Sequence, residues 1–225
     1  MGDVRGSAPE AGRQVVVVTS DRSLVAEVVA AALFDRSTET VVAPWPGTSG
    51  SRRRRGARPA AGLLLSDLDT VGAVQAAQLA MAGPTTSWIV VTAAPPGPLW
   101  GAMFEAGALG VLSSAAGLAE VRVRFRELAA GEHEVDPRAG RDLASWRRYG
   151  VERAVAAGRV PFLSDAERTL LDALEGADGL DAADVRRRAV EDADLLARAL
   201  GRLGVSDVAG AVDALRTARA VDATD

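Results

Sequence analysis

The chain has 225 residues, of which 48% are apolar and 25% charged, with a net charge of −4. That length suits one or two domains, each able to bury a core, and the balance is that of an ordinary globular protein. There is no cysteine and one histidine, His133, which excludes disulfides, thiolate metal sites and multi-histidine metal centres; all 26 basic residues are arginine, which closes every mechanism that needs a lysine ammonium.

No run approaches the ~18 apolar residues that a membrane span needs. Met1–Arg13 is polar and lacks the apolar core of a signal peptide, so a frayed tail, a cytoplasmic location and no membrane partner are expected. Val15–Thr19 is a short β-branched run, the pattern of a strand buried on both faces. A polar turn at Asp21-Arg22-Ser23 leads into Leu24–Phe34, which has helical spacing. Thr40–Ala43 reads as a second strand, and Pro44–Ala61 as a loop rich in Pro, Gly and Ser around Arg52–Arg55. Gly62–Leu65 is a third buried strand, ending in Ser66-Asp67-Leu68-Asp69. A helix over Val71–Met81, a strand over Trp88–Thr92, a loop over Ala93–Pro98 and a helix over Leu99–Ala106 stopped by Gly107 follow. Gly110–Leu112 makes a short fifth strand and Leu118–Ala130 a closing helix.

This alternation predicts a parallel sheet with helices on both faces. In such sheets the working residues lie in loops at the carboxyl ends of the strands. Here those loops offer Ser20, Asp21, Asp67, Asp69, Thr92, Ser113 and Ser114. Gly131–Pro161 reads as a connector with a helix across Ala139–Ala157. Beyond it, helices are predicted at about 165–175, 182–189, 192–203 and 207–219, with turns at Gly176–Gly179 and Gly204–Ser206 and N-caps at Asp165 and Ser206. Val208, Ala211, Val212 and Leu215 form either a helix seam for a second copy or core.

Four segments together resemble the receiver domain of NarL/LuxR-type response regulators. They are Ser20-Asp21-Arg22-Ser23-Leu24-Val25, Leu63-Leu64-Leu65-Ser66-Asp67-Leu68-Asp69, Val90-Val91-Thr92-Ala93 and Glu105-Ala106-Gly107-Ala108-Leu109-Gly110-Val111-Leu112. The resemblance implies a flavodoxin-like, doubly wound parallel five-stranded α/β sheet over residues 13–131. It also implies a phosphoacceptor at Asp67, a signalling hydroxyl at Thr92 and an acidic metal site after the first strand. The chain departs from that pattern: the acid pair is Ser20 and Asp21, Ser114 stands where the family has lysine, and Val111 stands at the aromatic switch position. Asp21 and Asp67 are left as a weak Mg²⁺ pair, with Arg22 the nearest cation in sequence, and no other cofactor is expected. An acyl-phosphate adds about two negative charges that Mg²⁺ and the lysine normally offset. Slow or absent phosphorylation is therefore expected. Asp21 and Asp67 read equally well as polar residues capping loops, and Thr92 as a β-branched strand end.

Leu163-Ser164-Asp165-Ala166-Glu167-Arg168-Thr169-Leu170-Leu171, and later Arg202-Leu203-Gly204-Val205 with Ala211-Val212, resemble the two ends of a LuxR-type helix-turn-helix domain. The expected layout is then a linker over 132–161 and a small all-α helix-turn-helix domain over 162–220. Leu195, Leu196, Ala199, Leu200 and Leu203 keep a core face, while Glu191, Asp192 and Asp194 stand where the family presents hydroxyl and basic groups. Ser164–Asp225 carries 8 arginines and 14 acids, a net of −6, so residues 1–163 hold about +2 of the total −4. A DNA-binding domain is usually the basic one. Arg186, Arg187, Arg188 and Arg198 are the candidates for DNA phosphates; the triplet reads also as a solvated helix face.

Arg52–Arg55 could meet nucleic acid, an acidic partner or the chain's own acidic end, or remain solvated. Trp45 reads as an exposed contact and Trp88, Trp100 and Trp146 as packed. There is no Gly-rich dinucleotide fingerprint, no Walker A sequence, no nucleophile elbow and no partner near His133, so neither an enzyme nor a small-molecule substrate is inferred. Two readings remain. One is an atypical response regulator in transcription regulation, with DNA as partner and a dimer as its form. The other is an interaction module that keeps both folds, has lost phosphorylation and duplex recognition, and binds a protein partner or itself.

Overall fold

A computed structural model describes residues 14–33, 38–46, 59, 61–82, 86–175 and 190–222. The tail to Arg13, the Arg52–Arg55 run, the turn at Gly176–Gly179, the helix expected over Ala182–Ala189 and the Arg186–Arg188 triplet lie outside the described residues. The chain divides into two compact units, 1–146 and 147–225. Among the described residues no helix is long and apolar enough to cross a membrane.

In the first unit the strands are β1 (Gln14–Ser20), β2 (Thr38–Ala43), β3 (Ala61–Leu65), β4 (Ser87–Thr92) and β5 (Ala108–Ser113). They form one sheet in the order β2-β1-β3-β4-β5, and every pairing is parallel. This is the doubly wound, flavodoxin-like order, with the chain reversing direction of travel beside β1. The helices are α1 (Ser23–Leu33), α2 (Val71–Met81), α3 (Pro98–Glu105) and α4 (Gly117–Ala130). Successive strand residues point to opposite faces, so neighbours enter different cores. Leu64, Val90 and Val111 pack with Val74, Met81, Trp100 and Met103 under α2 and α3. Leu63, Ile89 and Val91 pack with Ala26, Ala30, Phe125 and Leu128 under α1 and α4. Burial on both faces explains why the strands read as unbroken apolar runs rather than alternating ones. Trp45 is partly buried against the α2–α3 core, so the expected exposed contact is corrected: its indole is larger than the surrounding loop residues and covers apolar surface there.

α5 (Ala139–Ala157) gives its first half to the first unit and its second half to the second. The first half lies against α3 at Gly101, where a Cβ would meet the Asp142 carbonyl oxygen at 2.0 Å. Only glycine permits that approach.

The second unit contains the rest of α5, a short 3-10 turn at Val160–Phe162, α6 (Asp165–Glu175), α7 (Ala193–Leu203) and α8 (Val208–Asp222). Its core joins Ala156, Leu170, Leu171, Leu174, Leu196, Leu203, Ala211 and Leu215. Ala211, Val212 and Leu215 are thus core, with Val208 packed beside them. Gly204 ends α7 in the left-handed region (φ +72°), and the Arg159 guanidinium donates to the neighbouring Leu203 carbonyl at 3.0 Å.

Two expected caps are corrected. α6 is capped by Ser164 rather than Asp165: Ser164 Oγ accepts from the Glu167 N–H at 3.3 Å, and Glu167 accepts from the Ser164 N–H at 2.8 Å. This is a reciprocal capping box. α8 is capped by Asp207 rather than Ser206, its carboxylate accepting from the Gly210 N–H at 2.8 Å. In both cases the side chain three residues before the orphan N–H is the one that reaches it. Inside the unit, Tyr149 donates to Asp213 at 2.7 Å; burial, then this bond, pushes the Tyr149 hydroxyl above its ordinary range.

Candidate functional site

β1, β3 and β4 are adjacent and in register, Ser20 opposite Leu65 and Leu65 opposite Val91. Their carboxyl ends therefore deliver Ser20-Asp21, Ser66-Asp67 and Thr92 to one edge of the sheet. The buried Ser20 hydroxyl donates to Asp21 Oδ1 at 3.2 Å and accepts from the Arg22 N–H at 3.1 Å. Ser66 Oγ reaches Asp21 Oδ2 at 3.5 Å. Arg22 Nη2 donates to Asp67 Oδ2 at 2.6 Å, with side-chain exposures of 68% and 45%. Thr92 is buried; its hydroxyl donates to the Asp67 carbonyl oxygen at 2.7 Å and accepts from the Ala94 N–H at 3.1 Å. Its one proton is thus spent on the backbone.

Four of the expected pocket residues, Ser20, Asp21, Asp67 and Thr92, come together. Ser114 opens an exposed 3-10 turn, Ser114–Ala116, one residue beyond the Ser113–Thr92 register pair. Three neighbouring residues support the site in ways that their types do not announce. Ser66 is a small polar residue in a run of leucines. Leu68 is fully buried in the left-handed region (φ 50°), a conformation costing a non-glycine residue about 1–2 kcal/mol that its core contacts offset. Trp100 enters from α3, donating from its indole to the Ala94 carbonyl at 2.9 Å.

Octahedral Mg²⁺ takes carboxylate and water oxygens with open lone pairs. Here Arg22 closes Asp67, and two serine hydroxyls engage Asp21. Among the described residues no three His, Cys, Asp or Glu side chains are grouped to hold a metal. Two carboxylates, one paired with Arg22 and one engaged by serine hydroxyls, make a poor donor set for an octahedral ion.

No family model matches the chain, and no curated protein matches it. It is similar to solved response regulators. A Salmonella typhimurium RcsB response regulator is 17% identical, with a TM-score of 0.43 over 91% of this chain and 98% of that one. An RcsB–DNA complex is 15% identical, with a TM-score of 0.42 over 91% and 98%. ChrA, the response regulator of a heme-sensing two-component system, is 18% identical, with a TM-score of 0.41 over 92% and 98%. At these identities and scores no residue role passes from them to this chain, and its fold stands on its own strand order.

The second candidate surface is the outer face of α7. Leu196, Ala199 and Leu203 are buried, which turns Asp194, Ala197, Arg198 and Gly201 outward. Glu191, Asp192 and Asp194 are all exposed. Arg202 is drawn back, donating to Glu167 and to the Phe162 carbonyl, each at 3.0 Å.

Proposed function

We propose that the protein is an atypical response regulator acting in transcription regulation without depending on efficient aspartyl phosphorylation. The observation that carries this reading is the Arg22–Asp67 pair in the strand-end pocket. The candidate phosphoacceptor already holds a cation of the chain's own, beside Ser20, Asp21 and Thr92, while Ser114, the proposed pocket residue in the family's lysine position, stands on an exposed turn beyond β5. A phosphoryl group would bring about two negative charges to Asp67, next to Asp21, where among the described residues Arg22 is the guanidinium paired with it. Incubation of the full chain with a small acyl-phosphate donor and Mg²⁺, read by intact mass, is expected to give no stoichiometric adduct. A stoichiometric adduct lost in Asp67→Asn would overturn the reading.

The output is assigned to the second unit as a divergent duplex-binding domain over 162–220, working as a dimer. Arg198, exposed on α7, and the Arg186–Arg188 triplet are its proposed phosphate contacts. Fluorescence polarisation with generic duplex at low salt is expected to show binding that weakens steeply as salt rises. Arg198→Ala is expected to weaken it on all sequences alike and to lower the salt slope by about 1. A second reading, a protein-interaction module, is favoured by one observation: the three exposed acids at the start of α7 oppose a polyanion. Absence of any duplex binding at low salt selects that second reading.

A further inference from the structure

A continuous set of contacts runs from the strand-end pocket, through the end of β4 and through α3, to the segment that opens α5. Arg22 holds the Asp67 carboxylate, and the Asp67 carbonyl accepts from Thr92 Oγ1 at 2.7 Å. Thr92 Oγ1 accepts from the Ala94 N–H at 3.1 Å, and the Ala94 carbonyl accepts from the buried Trp100 indole at 2.9 Å. The Arg138 guanidinium lies over the same ring, 5.1 Å from its centroid. Asp136 fixes that guanidinium at 3.2 Å and also accepts from the Arg138 N–H at 2.9 Å. The Arg138 carbonyl then accepts from the Asp142 N–H at 3.0 Å, opening α5.

Two physical features make this set more than a sequence of neighbours. Trp100 is 1% exposed, so its N–H has no water to turn to if the Ala94 carbonyl moves, and an unpaired buried donor costs about 1–3 kcal/mol. The ring must follow the peptide, or that cost is incurred. The cation above it is held by an aromatic face and a carboxylate at once, so movement of the ring changes the environment of the residue that starts α5. At Gly101, next along α3, the backbone lies too close to Asp142 for a Cβ, so α3 and the opening of α5 share one packing arrangement. β5 supplies no aromatic side chain that could act in this way, since Val111 is buried at the centre of that strand.

We propose that Trp100 is a relay that couples the Asp67–Thr92 pocket to the docking of the first half of α5 on α3. A change at the pocket shifts the Ala94 peptide, Trp100 follows, and Arg138 releases or holds the first turn of α5. The relay is independent of what the second unit binds, and its test needs neither DNA nor a phosphodonor, so its failure and that of the function above are distinguishable.

The test is amide hydrogen exchange by mass spectrometry on the full chain, read on residues 139–146. Thr92→Val keeps the side-chain shape and removes the hydroxyl. It is expected to speed exchange at 139–146 by about five- to tenfold, the effect of one net hydrogen bond. Val16→Ala, a cavity in the core on the opposite face of the same sheet and so off the path, is the control for general loosening. It is expected to leave 139–146 no more affected than the rest of the first unit. In Trp100→Phe, which keeps a ring and loses the N–H, adding Thr92→Val is expected to do nothing further to 139–146. Arg138→Gln is a surface variant that retains the core and repeats the test should Trp100→Phe fold poorly. Unchanged exchange at 139–146 in Thr92→Val, or effects of Thr92→Val and the relay variants that simply multiply, would overturn the proposal.

Discussion

Gly101→Val detaches the first half of α5 from α3 and costs about 2–3 kcal/mol, at the upper end of overpacking effects. A Cβ at this position lies 2.0 Å from the Asp142 carbonyl oxygen, 2.5 Å from its carbon and 2.7 Å from Trp146 Cβ. Two of those atoms are backbone and cannot swing away, so the helix itself must move. Helix propensity works in the opposite direction: a helical glycine costs about 1 kcal/mol relative to alanine. The steric term is larger, and it takes with it the Trp146–Glu105 hydrogen bond at 2.7 Å. Gly72 is the contrasting position, since its Cβ would meet only Thr70 Oγ1, at 3.9 Å. Gly72→Ala is therefore expected to stabilise by about 0.5 kcal/mol. Urea denaturation gives both values, and a red shift of indole fluorescence in Gly101→Val reports exposure of Trp146. A Gly101→Val protein as stable as the parent, with α5 still protected from exchange, would refute this account of the packing.

Glu167→Ala costs the second unit about 1–2 kcal/mol, the loss of the capping acceptor at Ser164, since Arg202, with 48% side-chain exposure, returns to water when its partner is removed. Glu167 is 1% exposed. It accepts from the Ser164 N–H at 2.8 Å, the Ser164 hydroxyl at 2.9 Å and Arg202 at 3.0 Å. Those partners, the Ser164 N–H foremost, hold its carboxyl below the usual glutamate range against the opposing effect of burial. A carboxyl depressed in the folded state gives stability that is complete above its unfolded pKa, about 4.3, and is lost as pH falls through the lower folded value. Acidification from about pH 6 to about pH 3 is thus expected to lower the urea midpoint of the second unit. Glu167→Gln keeps an oxygen for the Ser164 N–H and loses the charge, so its midpoint is expected to change less across the same window. Identical pH profiles for the parent and Glu167→Gln would show that the carboxylate charge is not what closes α6 on α7.

The elements were legible because each is specified by neighbours in sequence. The apolar runs at Val15–Thr19, Gly62–Leu65 and Trp88–Thr92 are strands of the sheet, extended by a residue where a flanking backbone group finds a ladder partner. Val71–Met81, Ala139–Ala157 and Asp165–Glu175 have the helical bounds their spacing predicts. Caps were harder, since Ser164 and Asp165, or Ser206 and Asp207, are chemically equivalent candidates one residue apart. Only backbone direction decides which oxygen meets the orphan N–H. At the candidate site, residue types at strand ends pointed to Ser20, Asp21, Asp67 and Thr92. Which hydroxyl spends its proton on which carbonyl was not legible, nor was the direction of the Arg22 side chain.

By itself the sequence determined the kind of layers and the address of the polar loops, because burial on two faces and helical spacing are written at short range. It also removed lysine, cysteine and multi-histidine chemistry outright. Only the tertiary structure decided that Arg22 closes on Asp67 across 45 residues, that Gly101 is a contact with α5 rather than a weak point in α3, and that Trp100 bridges Ala94 and Arg138. Such contacts depend on distances between segments far apart in the chain, and those distances are set by the packing of whole elements, which no local pattern encodes.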